Sequence, residues 1–104
     1  MGEKKYKVII SDRSMRMLGE HIRFLAKADK AAAIQTKKSL MDAMKSLSHM
    51  PNRFPFISAP HLIPNKYHKM YVPNWYLILY QIQDDKVCID YILDCRKDYQ
   101  WLIS

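Results

Sequence analysis

A chain of 104 residues that is 49% hydrophobic and 12% aromatic has the make-up of a folded domain, not of a disordered segment. No apolar run approaches the ~20 residues that span a bilayer, and the N-terminal Met1-Gly2-Glu3-Lys4-Lys5-Tyr6 has neither the apolar core of a secretory signal nor the Ser or Thr of a myristoylation signal. The formal charge is +7, and Asp42 and Asp84 are consecutive acids, so 43–83 holds Lys45, Arg53, Lys66, Lys69, His49, His61 and His68 without one carboxylate. A field of that sign suits a polyanion or an acidic protein partner.

In chain order, Tyr6–Ser11 is short and β-branched and predicts a strand. Ser11 or Asp12 offers an N-cap oxygen, and Met15, Leu18, Ile22 and Leu25 recur at helical spacing. Ala28-Asp29-Lys30 breaks that helix, and Asp29 can cap a second one reaching about Ser48, with an apolar face of Ile34, Leu40 or Met41, Met44 and Leu47. So short a link predicts an antiparallel helical hairpin. Pro51, Pro55, Pro60 and Pro64 then exclude helix, while Phe54, Phe56, Ile57, Leu62 and Ile63 give the loop apolar anchors over the core.

Three strands follow: Tyr67–Val72, Trp75–Gln83 and Lys86–Leu93, with turns at Pro73-Asn74 and Asp84-Asp85. The second is almost wholly apolar, which predicts a central strand buried on both faces. Trp75, Tyr76 and Tyr80 form an aromatic stripe that suits stacking on bases or packing in the core, with the core expected, and alternation puts Val87, Ile89, Tyr91 and Leu93 on one face. Tyr99–Ile103 reads as an amphipathic tail. The two cysteines, Cys88 and Cys95, have an odd separation, which predicts opposite strand faces and free thiols in a reducing compartment. No Cys/His spacing fits a zinc site, so neither metal nor cofactor is expected. The expectation is one cytoplasmic α+β domain over 1–104, ordered β-α-α-β-β-β, with the helical hairpin packed on a mainly antiparallel sheet.

That order, with Trp75-Tyr76-Leu77-Ile78-Leu79-Tyr80 as second meander strand and Cys95-Arg96-Lys97-Asp98-Tyr99 closing it, resembles the RelE/ParE superfamily of bacterial toxins. The strand is similar to that family's Gly-Tyr-Arg-Leu-Val-Tyr, and the terminus to its Cys-Arg-x-His-Tyr or His-Arg-x-x-Tyr endings. The resemblance implies the toxin of a type II toxin–antitoxin module, neutralised by a cognate antitoxin and without membrane association. Some members cleave mRNA on the ribosome and others inhibit DNA gyrase without cleaving RNA.

RNA cleavage by 2′-hydroxyl attack needs a base, cations for the pentavalent phosphate and an acid for the leaving oxygen. Carried over from the family, the catalytic positions are His68, Arg96 and Tyr99, with no metal, and the cations expected to bind RNA are Lys97 beside them and Arg53, Lys66 and Lys69 of the acid-free stretch. Met70 and Leu77 stand where RNA-cleaving relatives carry Lys and Arg, and Asp98 where some carry a catalytic His. Alternation sets Lys69 on the face opposite His68, and a one-residue slip would exchange them. The implied function is ribosome-dependent mRNA cleavage; a non-catalytic gyrase inhibitor and an inactive toxin fold that only binds antitoxin or nucleic acid are the alternatives.

Overall fold

The computed structural model describes residues 4–98. Strand β1 (Lys7–Ile10) leads into helices α1 (Asp12–Ala28) and α2 (Lys30–Ser46), a 3-10 turn at Pro51–Arg53, and strands β2 (His68–Val72), β3 (Tyr76–Gln83) and β4 (Lys86–Asp94). The four-stranded sheet has the order β1-β4-β3-β2, with β1 parallel to β4 and the other pairs antiparallel. This is the α+β architecture expected from the sequence.

Capping chemistry sets the helix ends. Ser11 Oγ accepts from the Ser14 amide and starts α1. Asp29 closes α1 with its own N–H on the Leu25 carbonyl, then starts α2 by accepting from the Ala32 amide. At the far end of α2 the Arg53 guanidinium donates to the carbonyls of Ser46, His49 and Met50 and to Ser46 Oγ. Ser46 ends α2, at the negative pole of its dipole, and His49 and Met50 lie in the turn that follows. Arg53, which the sequence offers as an RNA ligand, thus braces the turn that leaves α2. Arg53→Ala is expected to lower stability by about 0.5–1 kcal/mol, read as a fall in melting temperature of a few degrees.

The helices pack on one sheet face. Leu18, Leu40, Met44 and Leu47 close against Met70, Val72, Tyr76, Ile78, Tyr80, Val87, Ile89 and Ile92. On the other face Leu77, Leu79 and Leu93 lie beneath Tyr67, Ile57 and Leu62, so the proline-rich loop lies over the core as expected. Its entry strand is held by the Ile57 amide on the Tyr67 carbonyl and the Lys69 amide on Pro55.

The buried stripe of α1 is only partly the apolar one. Leu18 is buried and Ile22 packs against the core as expected, but Met15 is exposed and Ser14 and His21 are buried beside them. The reason lies in the sheet. β1 pairs only with Lys86–Ile89 of β4, which leaves the outer half of β4 as an open edge. Helix α1 closes it: Ser14 Oγ donates to the Ile89 carbonyl, Arg13 Nε to Asp90 and His21 Nε2 to Ile92. Burial of Ser14 and His21 follows the edge carbonyls they bind, Ile89, which also accepts from the Ser11 amide, and Ile92, which lies beyond the β1 pairing. Similarly, Ile34 of α2 is exposed and its buried residues are Ala33, Thr36, Leu40 and Met44.

The pairing of β3 with β4 skips Asp90: Tyr80 faces Ile89 while Leu79 faces Tyr91. This bulge reverses the alternation. Val87 and Ile89 therefore share the helix face with Ile92, while Tyr91 and Leu93 face the loop, in place of the single face expected. It also overturns the opposite-face expectation for the cysteines. Cys88 alternates with Val87 and Ile89, and Cys95 packs on the loop-side cluster, so both fall on that side, as free thiols.

Candidate functional site

The strand face of His68 is the helix face, because His68 continues the series Met70 and Val72. Its side chain is only 7% exposed. The ring lies between Tyr80 and Phe56, with centroids at 5.2 and 4.2 Å, and Nδ1–H donates to the Phe54 carbonyl at 2.7 Å. A histidine so enclosed holds the loop to the sheet. Lys69, one residue on, lies on the opposite face with Tyr71, and its ammonium is 5.9 Å from the Tyr71 ring centre.

Arg96 sits at the other end of β3. Tyr80 pairs with His68, whereas Tyr76 pairs with Asp94, just before Arg96. Four residues of strand separate the two ends, about 13 Å. The structure thus does not bring His68 to Arg96. Tyr99 lies outside the described residues. Lys97 folds back on α1, with its ammonium 4.5 Å from the Phe24 ring centre, and Lys66 lies 5.4 Å from that of Tyr67. Met70 is buried in the helix-side core and Leu77 in the loop-side core, so neither lines an open cleft.

What surrounds Arg96 is a compact charge network with Asp94, one of the two acids that flank it in sequence and that a structural pairing would use. Asp94 is 2% exposed. Its Oδ1 accepts from the Arg96 backbone N–H at 2.9 Å and from Arg96 Nε at 3.3 Å, and its Oδ2 accepts from Nη2 at 3.3 Å. Burial by itself raises the Asp94 pKa, but the side-chain and backbone hydrogen bonds from Arg96 and its charge, with His21, outweigh that and hold it below the ordinary carboxylate range. Asp98 accepts from the Asp94 amide at 2.8 Å, so it serves the turn. Tyr76 is pushed upward by burial and by the Asp94 charge. His21 stands 5.7 Å from the Tyr76 ring, and its buried Nδ1 has no hydrogen-bond partner among the described residues.

The β2–β3 turn departs most from expectation. Trp75 is not in the strand or its buried stripe. It stands in the turn, 60% exposed, while Tyr76 and Tyr80 are buried as expected. Asn74 and Trp75 both have positive φ, 73° and 80°. Consecutive positive φ values are what Asn-Gly turns supply. Asn tolerates that region, but Trp carries a strain of about 1–3 kcal/mol there. Trp75 and Tyr71, itself 66% exposed, flank a groove of about 420 Å³ that Pro73 and Cys95 complete. The Arg96 guanidinium is 5.9 Å from the Trp75 ring centre. Among the described residues no three His, Cys, Asp or Glu side chains converge as a metal site, and no helix is long and apolar enough to cross a membrane.

No protein-family model matches the chain, and no curated protein matches it in sequence. Among solved structures, a chain described as "Chromosomal ParDE TA system from P. aeruginosa" superposes with a TM-score of 0.71, covering 86% of this chain and 95% of that chain at 11% identity. At that identity the likeness is one of fold.

Proposed function

We propose that this chain is the toxin of a type II toxin–antitoxin module, and that it acts by binding its target, in the manner of a gyrase inhibitor, and not by cutting mRNA. Support for a toxin comes from the fold shared with a ParDE chain together with the basic, acid-free stretch 43–83. A cognate antitoxin with an acidic amphipathic segment complements that charge. The observation that carries the mode of action is the enclosure of His68. General base catalysis needs a base within hydrogen-bond reach of the 2′-hydroxyl and beside the phosphate-binding cations, whereas His68 is packed between two aromatic rings, four residues of β3 away from the Asp94 that precedes Arg96.

Ribosome-dependent mRNA cleavage, the reading carried by Arg96 and Tyr99 in sequence, makes the opposite prediction. Inducing the chain alone in a bacterial host is expected to arrest growth with mRNA 5′ ends unchanged, and the purified protein is expected to inhibit supercoiling by DNA gyrase. Arrest accompanied by new 5′ ends inside translated codons would establish cleavage and overturn this mode of action. Absence of arrest would leave a toxin fold that only binds.

A further inference from the structure

We infer that the groove between Tyr71 and Trp75 is a binding site for an unpaired nucleobase of a single-stranded nucleic acid. The inference stands apart from the toxin reading and uses none of the residues assigned to catalysis by resemblance except Arg96.

Three observations carry it. The first is conformational. Trp75 occupies a positive-φ position, at 80°, next to Asn74 at 73°, where glycine would sit without strain. The turn needs no indole for its own packing, since the side chain is 60% exposed. Strain retained around an exposed aromatic marks a side chain kept for contact with something else. The second is shape. The groove has an aromatic ring on each side, Tyr71 and Trp75, and its volume of about 420 Å³ suits a flat ring slid between them. Bases of every kind present a π-face, so such a site tolerates sequence.

The third is charge. A cation stands beside each ring: Lys69 at 5.9 Å from Tyr71 and Arg96 at 5.9 Å from Trp75. The nearby carboxylates are spent internally, Asp94 buried on Arg96 and Asp98 on the Asp94 amide. The Arg96 side chain remains 54% exposed. A stacked base would thus have its flanking phosphates beside a lysine on one side and an arginine on the other. An apolar groove with a cation beside each ring, and with its nearby carboxylates engaged internally, fits a nucleotide better than an apolar peptide.

The test is fluorescence anisotropy of the full-length protein with a labelled oligouridylate at low salt, beside oligothymidylate and a blunt duplex of equal length. Single-stranded RNA is expected to bind, and the duplex to bind more weakly. Trp75→Gly and Tyr71→Ala are each expected to weaken binding by roughly 5- to 100-fold. Trp75→Phe should retain most of it, and Lys69→Ala should flatten the salt dependence. Trp75→Gly relieves the turn, so its melting temperature should not fall; that separates loss of stacking from loss of fold. Equal affinity for oligothymidylate would support the same site with the sugar unread. Duplex binding as tight as single-strand binding, unchanged affinity in Trp75→Gly and Tyr71→Ala, or no binding would overturn it. So would a Trp75-dependent dimer, or Trp75-dependent binding of an acidic leucine-bearing peptide, without oligonucleotide binding. Growth arrest is scored separately, so this site and the toxin reading fail independently.

Discussion

Tyr80→Ala is expected to cost about 3–5 kcal/mol of folding free energy, on the scale of a buried aromatic cut back to a methyl group. Tyr80 has no exposed surface, and it joins three parts of the fold. Its ring belongs to the helix-side core, its flat face meets His68, and its hydroxyl donates to the Pro51 carbonyl at 2.6 Å. Against a domain stability of about 5–15 kcal/mol the loss is large. Urea unfolding at neutral pH measures it, and hydrogen exchange should show the loop amide of Ile57 and the β2 amide of Lys69, which holds the loop, opening first.

Tyr80→Phe isolates the hydroxyl and should cost about 1–2 kcal/mol, because the buried Pro51 carbonyl loses its donor. The same site gives an alkaline signature. Burial pushes Tyr80 up to about 12, with the Arg53 charge opposing, and burial followed by the Asp90 hydrogen bond takes Tyr67 to about 12 as well. A raised tyrosine pKa favours the neutral form in the folded state. Its contribution is whole below pH ~10, the unfolded value, and is lost as pH rises through about 12. Phenolate absorbance that reaches its full value near pH 10 in the folded protein would contradict this.

Asp94→Ala is expected to have the second largest effect, about 2–3 kcal/mol, because it removes the acceptor of three hydrogen bonds from Arg96 in a nearly closed site. Half of the Arg96 side chain is exposed and can turn to water, which keeps the cost below that of a fully buried pair. The acid limb of the stability curve carries the sign. A carboxylate lowered in the fold contributes above its unfolded value near 4 and loses that contribution as pH falls through its folded value. Wild type should therefore lose stability below about pH 4 more steeply than Asp94→Asn. Equal slopes in the two proteins would remove Asp94 from the account.

Element order, the short helical hairpin, the caps at Ser11 and Asp29 and the central burial of β3 were legible in sequence, because each depends on a local signal. Hidden features depended on partners far along the chain. Nothing near Ser14 or His21 announces burial; the signal is the difference in length between β1 and β4, which leaves carbonyls for α1 to cover. The bulge at Asp90 has no local marker either, and it moved half of β4 to the other face. Trp75 adjoined an apolar run and read as strand, although Pro73-Asn74 before it was already a turn signal. His68 and Lys69 were ambiguous by one residue, and only the helix packing decides which of them is enclosed. Arg53 and Arg96 read as ligands in sequence because a cation there looks the same whether it meets a phosphate, the backbone carbonyls that Arg53 binds or the carboxylate that Arg96 binds.

The parallel pairing of β1 with β4 has a consequence in time. Lys7 pairs with Lys86 and Ile10 with Ile89, so the first strand made waits for the last. Closing a loop of that length is an entropic cost met before any contact returns it, which places β1 docking late in folding. At about 5–20 residues per second, translation leaves several seconds in which β1, α1 and α2 exist without the strand whose carbonyls Ser14 and His21 bind. A partner that engages the nascent helical hairpin in that interval meets the polar stripe of α1 before β4 covers it.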